Sequence, residues 1–307
     1  MYFLPTDDQL ELQRGVRELL DRRFPLDRLP GGYDQALWRE LTETGVFALR
    51  SDLDLGMAEA VLIFEELGRA CVPGPLVGTF LARGYDVSPA TSDGAVAVLE
   101  PDQSPQLLAH RDIATAVLVL GDEPVLAAVP DGSPVPDLVD PLTPLHELSA
   151  VPAGTALGDD TLAGLLRMEG AVLTAALQVG LAARLTELAV DYAKTREQFG
   201  RAIGSFQAVK HLCADMFVRT ELARVAVHAA AVAIDGHGHG DEARAVAGAK
   251  LLADEAAVTN GRSAVQVHGG MGFTWEVPVH FFLKRAWLHA TEFGTAEDHA
   301  EDLAALL

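Results

Sequence analysis

Cysteine is nearly missing from these 307 residues: only Cys71 and Cys213 occur, far apart in the chain. That excludes a disulfide scaffold and predicts a reducing, cytoplasmic setting. Lysine is scarce as well, four of 23 basic residues, and 44 acidic residues leave a formal net charge of −21. So negative a balance argues against nucleic acid or an anionic membrane surface as a partner. No run of 18 consecutive apolar residues occurs, so no membrane span is expected. The opening "MYFLPTDDQLELQ" lacks a basic stretch followed by an apolar core, so no secretory signal is expected either. Tryptophan is absent between residues 85 and 157, and threonine is thin there.

What is present divides the chain into three textures. Residues 1–84 read as helices with short breaks: "TDDQLELQRGVRELLDRRF" opens on a Thr/Asp N-cap and repeats apolar residues at helical spacing. Gly45 and Gly56 punctuate "YDQALWRELTETGV" and "GMAEAVLIFEELGRACV" as stop and start signals. Residues 85–157 change to short β-branched runs, "GAVAVLE", "LLAHRDIATAVLVLG" and "PVLAAVP", and 12 of the chain's 16 prolines fall from Pro73 to Pro152. From 158 to 307 the spacing predicts long helices over 161–195, 202–235, 240–268 and 278–290. The expected fold is therefore mainly α with a small β domain. A helical domain comes first, a reduced middle β domain second and an antiparallel four-helix bundle last. The loop "DGHGHGDE" at 235–242 has two histidines but no further ligand at metal spacing, so it reads as a solvated loop with no metal site.

Two stretches carry candidate chemistry. In "YAKTREQFGRAIGSFQAVKHLCADM", 192–216, a helix breaks near Phe199-Gly200 and resumes at Gln207, with Ser205 as the expected N-cap. Arg196, Phe199 and Gln207 stand around that corner. The set suits a phosphate-bearing ligand: a guanidinium for a pyrophosphate, a ring for stacking, an amide for a ribose or base. An ordinary helix–helix turn with a surface arginine accounts for the same letters. In "AVQVHGGMGFTWEVPVHFFLKRAW", 264–287, Gly269, Gly270 and Gly272 allow a tight turn with close backbone approach, and Gln266 sits one turn before it.

Both stretches resemble the signatures of flavin-dependent acyl-CoA dehydrogenases. The second matches in its Gln-x-x-Gly-Gly-x-Gly-Phe run, Gln266 to Phe273, followed by Glu276-x-Pro278. The likeness covers 158–307 almost continuously. It reaches more loosely to "WRELTETGVFAL" and "FEELGRACVPGPL". It implies FAD shared across a subunit interface, with the adenosine-diphosphate end held by the neighbouring protomer. The positions that make those contacts correspond to Arg196, Phe199, Gln207, Gln266, Gly269 and Gly270, and all are present. The family's own ring-binding segment, Thr-Glu-Pro-x-x-Gly-Ser-Asp, has only "LEPDQSP" as its counterpart, with Glu100-Pro101 kept and the Gly-Ser lost.

The resemblance also places a general base, which must reach the α-carbon of a thioester opposite the flavin. The family's Glu-Gly-Thr aligns with Phe293-Gly294-Thr295, and phenylalanine accepts no proton. Glu292 is one residue away, and a one-residue step turns a helical side chain by about 100°. An alternative family base, on the first bundle helix, aligns with Gly170, beside Glu169. Retained neighbour-facing contacts and a missing ring site and base are expected of the non-catalytic subunit in heteromeric, steroid-catabolic-type actinobacterial acyl-CoA dehydrogenases. The implied partner is a full-length acyl-CoA dehydrogenase subunit in an α2β2 heterotetramer. Two other readings stay open: a homo-oligomeric enzyme using Glu292 or Glu169 as base, and a flavin-free CoA-ester-binding or scaffold protein.

Overall fold

A computed structural model describes residues 4–85, 94–237 and 241–306. The N-terminal helices are α1 (Asp7–Arg23), α2 (Gln35–Glu43), α3 (Met57–Arg69) and α4 (Leu76–Gly84). Thr6 caps α1 in a reciprocal box with Gln9, and Asp34 caps α2 through the Ala36 and Leu37 amides. Gly45, at φ +83°, follows α2, and Gly56 is the N-cap of α3, as their placement in the sequence predicts.

The middle segment forms two small sheets. Strands β1 (Ala95–Leu99), β3 (Ala114–Val119), β4 (Val125–Ala127) and β7 (Gly154–Ala156) lie in that spatial order, with β1 and β3 parallel and the other pairs antiparallel. A second sheet pairs β2 (Leu107–Ala109), β6 (Leu145–Glu147) and β5 (Ser133–Pro134). Their inward faces bury Leu108, Val117, Val119 and Leu148 in a core of their own. The α4 helix lies against β1, where the Val96 amide donates to the buried Thr79 hydroxyl.

The C-terminal helices are α5 (Asp160–Thr195), α6 (Gln207–Val232), α7 (Glu242–His268) and α8 (Val279–His289). Two local expectations need correction. The segment expected to begin the second long helix at 202 is instead a hairpin, β8 (Glu197–Gln198) and β9 (Arg201–Ala202), then a short 3-10 turn. Ser205 is not the N-cap of α6: its hydroxyl donates back to the Ala202 carbonyl, and Phe206 occupies the cap position with no side-chain bond. A further helix, α9 (Ala296–Ala305), follows Thr295, which caps it in a reciprocal box with Asp298. The loop at 235–242 crosses residues 238–240, which lie outside the described residues. Among the described residues one helix, α5, is long and apolar enough to cross a membrane; 72% of its apolar window is buried inside the protein, as in a core helix.

One continuous apolar core joins the N-terminal helices to the bundle, with Phe64, Phe80 and Phe282 fully enclosed. Arg224 on α6 bonds Glu65 on α3 at 2.9 Å, which ties the two helical layers together.

Candidate functional site

The first candidate region is the outer corner after α5. The chain leaves the helix at Arg196 and folds into the β8–β9 hairpin, whose two central residues are Phe199 at φ +53° and Gly200 at φ +76°. Two successive left-handed residues are the geometry of a tight primed turn. Glycine takes it without cost, whereas phenylalanine is an outlier there. The turn lifts the Phe199 ring to 90% exposure, edge-on to Phe206 with ring centroids 6.0 Å apart. Arg201 lies over the other ring of that pair, 4.2 Å from the Phe206 centroid.

Arg196 and Gln207 are exposed at the same corner. The Tyr192 ring stacks on His268 at 4.2 Å and brings the end of α5 beside the end of α7, where Gln266, Gly269 and Gly270 are exposed as well. Gly269 sits at φ +60°, and a Cβ at either Gly269 or Gly270 would meet open space. Guanidinium, amide, ring and bare backbone thus collect at one end of the bundle. They can hold an extended anionic ligand supplied from outside the chain.

The second region is an inner cavity of about 160 Å³ between α4, the sheets and the end of α8. Leu76, Val77, Leu145 and Leu177 furnish apolar walls; Glu100, His110, Arg285 and Glu292 also line it. The cavity's floor is the turn after α8. Phe293 is buried at φ +55°, and its ring lies directly on Gly170 of α5, where a Cβ would stand 2.1 Å from the ring.

The acyl-CoA dehydrogenase C-terminal domain matches residues 166–307. The acyl-CoA dehydrogenase IpdE2 of Mycobacterium tuberculosis is 36% identical over 270 residues, covering 83% of this chain and 81% of that protein. The chain belongs to the acyl-CoA dehydrogenase family. That is a family of oxidoreductases, and the solved structures agree on the fold. The ChsE4–ChsE5 complex of Mycobacterium tuberculosis matches with a TM-score of 0.82 at 23% identity, over 99% of this chain and 98% of that one. The Tcur3481–Tcur3483 steroid ACAD matches with a TM-score of 0.82 at 24% identity, over 98% of this chain and 97% of that one.

Within this family member, the two positions that the resemblance aligns with a base, Phe293 and Gly170, touch each other: the ring of one fills the space the other leaves. The neighbouring carboxylates are engaged elsewhere. Glu169 is buried and accepts from both terminal guanidinium nitrogens of Arg50, Nη2 at 2.7 Å and Nη1 at 2.8 Å, and from the Tyr85 hydroxyl at 2.9 Å. Glu292 does line the inner cavity, with its side chain 32% exposed, and bonds His289 Nδ1 at 2.7 Å. Burial raises its pKa, but His289, Arg285 and Lys250 outweigh that and hold it below the usual carboxylate range. A carboxylate stabilised in this way is a weak proton acceptor.

The carboxylate that the site residues read from sequence omitted is Glu100. It accepts the Phe293 amide at 2.8 Å and the Gln103 side chain at 2.6 Å, so it holds the turn that carries Phe293. Burial lifts its pKa to about 7, the Phe293 amide pulls it down, and Glu292 pushes it up. The only sequence signal was the retained Glu100-Pro101 pair. Because Glu100 binds its proton more tightly in the folded chain than at the ordinary 4.5, stability falls as pH rises from about 4.5 to 7 and stays reduced above that. The full difference is on the order of 3 kcal/mol. Urea denaturation of Glu100→Gln is expected to show higher stability than the parent at pH 8, with the gap closing toward pH 5. Parallel pH profiles for the two proteins would contradict this.

Proposed function

We propose that this chain is the non-catalytic subunit of a heteromeric, FAD-dependent acyl-CoA dehydrogenase, lending the adenosine-diphosphate contacts of FAD to a full-length catalytic partner. The observation that carries the reading is the Phe293 ring seated on Gly170, which occupies the chain's own base position. The outward corner of Arg196, Phe199, Gln207, Gln266, Gly269 and Gly270 stays open. The inner cavity beside Phe293 measures about 160 Å³, below the roughly 300 Å³ at which pockets for drug-sized ligands begin, so that cavity by itself does not enclose a three-ring flavin. The outer corner does fit the diphosphate and adenine of a flavin whose ring lies in a neighbour. Arg196 would meet the diphosphate, Phe199 stack, and the Gly269-Gly270 backbone approach closely. Bound FAD supplies the acceptor for the β-hydride in the α,β-desaturation of an acyl-CoA thioester.

A partner is also supported by exposed apolar side chains. Val218, Leu222 and Val225 form one face of α6, and Phe273 and Trp275 stand exposed after α7. The α2β2 assembly and a steroid-derived CoA ester as substrate belong to the same proposal, since one solved neighbour is named a steroid ACAD and another is a two-protein complex. At a net charge of −21 this chain does not attract the CoA polyanion, so the partner supplies those contacts. A cytoplasmic location goes with the two unpaired cysteines.

Coexpression with a full-length dehydrogenase encoded nearby is the decisive experiment. A yellow complex with one flavin per two chains is expected, and the chain purified alone is expected to be colourless and inactive. One flavin per chain with turnover in the isolated protein would refute the reading. In the complex, Arg196→Ala should weaken flavin retention about 10- to 100-fold, the loss of charge-assisted bonds to a phosphate. Glu292→Gln should leave turnover near that of the parent complex; a fall of about 10³-fold or more would make Glu292 the base.

A further inference from the structure

A larger hollow adjoins the turn that carries Phe293. Glu100, Gln103, Thr291 and Phe293 line both it and the inner cavity, and so form the wall between them. This open groove measures about 980 Å³ and lies between the loop after β1, the N-terminal parts of α5 and α7, and α9. Its walls are largely apolar, built from Leu120, Met168, Ala171, Val246 and Leu306. A groove of this size and character has room for a projecting segment of another protein.

Charge selects the occupant. Asp102, Asp298 and Asp302 are exposed along the groove. Asp298 accepts from the Thr295 amide at 2.8 Å and the Thr295 hydroxyl at 2.7 Å, and those bonds hold its pKa below the usual carboxylate range. Arg167 offsets one of the three charges, and its Nη2 is spent on the Leu120 and Gly121 carbonyls at 2.7 and 3.1 Å. His299 offsets none, since burial lowers its pKa and leaves the ring neutral at pH 7. An anion is therefore disfavoured: the start of α9 would suit a phosphate, but Asp298 already sets a carboxylate there. A guanidinium fits. It is planar and weakly hydrated, so it lies on apolar walls while donating in pairs to carboxylates.

Symmetry names the source of that guanidinium. The subunit reading sets this chain's corner of Arg196 and Phe199 against its partner's flavin. Two chains of one fold that pair about a pseudo-two-fold axis bring each face against its counterpart. The partner's corresponding corner then faces this groove, where Glu100 and the turn from Phe293 to Thr295 lie. We propose that the groove receives an arginine-bearing loop of the catalytic partner, its guanidinium set among Asp102, Asp298 and Asp302 and its stem laid on the apolar walls. The proposal rests on the subunit reading and adds the contact that holds the partner at the site where this chain binds no flavin of its own.

The test is the affinity of this chain for the full-length dehydrogenase, measured by surface plasmon resonance. Asp102→Lys combined with Asp302→Lys should raise Kd about tenfold or more, with the gap narrowing between about 50 mM and about 500 mM salt. Glu11→Lys combined with Glu18→Lys makes the same charge change on exposed positions of α1, which does not line the groove, and should leave Kd within about threefold of the parent. Should the lysine pair fold poorly, Asp102→Asn with Asp302→Asn is expected to weaken binding by about threefold or more. A groove variant as tight as the parent, or equal weakening by the α1 pair, overturns the proposal and leaves the subunit reading standing. A parent chain that forms no complex overturns both. In a structure of the complex, a partner arginine in the groove supports the proposal; a flavin there, or no arginine, overturns it.

Discussion

Lys250→Met is expected to destabilise the protein by about 3–5 kcal/mol, a loss of roughly 10 °C in melting temperature for a chain of this size. Lys250 is fully buried on α7, where its Nζ donates to Asp254 at 2.6 Å, to the His289 carbonyl at 3.1 Å and to the Gly294 carbonyl at 3.3 Å. Gln178 completes the group by donating to Asp254 and to the Ala286 carbonyl, both at 3.0 Å. One ammonium therefore stitches α7 to the end of α8 and to the turn carrying Phe293. Methionine fills similar volume but strands the Asp254 carboxylate in the interior, and an unpaired buried charge is the costly half of a broken ion pair. Adding Asp254→Asn to Lys250→Met should recover a substantial part of the loss, because the amide still bonds Gln178 without carrying charge. Calorimetry on both variants checks this. A single variant as stable as the parent would show that the network contributes nothing net.

Gly180→Ala is the second large effect, and it is expected to exceed about 3 kcal/mol. Helices α3 and α5 meet backbone to backbone at two glycines. A Cβ on Gly180 would stand 2.0 Å from the Glu65 carbonyl oxygen, and one on Gly68 would stand 2.1 Å from the Leu177 carbonyl oxygen. Neither obstacle is a flexible side chain, so the helices must separate, and separation disturbs Glu65 with its bond to Arg224. Gly164 lies on the same α5 helix with nothing within 4 Å of its would-be Cβ. Gly164→Ala should accordingly stabilise by up to about 1 kcal/mol, the ordinary helix-propensity gain. Opposite signs from one substitution type on one helix form the expected result in chemical denaturation. If both variants shift alike, close backbone contact is not what holds α3 against α5.

Short-range physics made much of this protein legible from its letters. Apolar spacing and caps act within four residues, so α1 with Thr6 and Gln9, the stop at Gly45 and the long C-terminal helices could be read directly. The capping box from Thr295 to Asp298 was equally visible as a pattern, although α9 was not among the expected helices. The family signatures are local strings too, and they identified the corner around Arg196 and Phe199 even though its hairpin was hidden, since Phe-Gly is not the usual composition of such a turn.

Tertiary structure alone decided the inner site. Phe293 meets Gly170, Glu169 meets Arg50, Phe293 bonds Glu100, and His110 comes to share a cavity with Arg285; each pair is joined across more than a hundred residues. Whether a carboxylate is a base, a strut or a proton store depends on burial and on the charges brought to it. Those are properties of packing between distant segments, which no local pattern encodes. The sequence by itself determined that the usual base position holds a phenylalanine; only the fold decided that its ring closes over Gly170, and that Glu100 holds the turn in place.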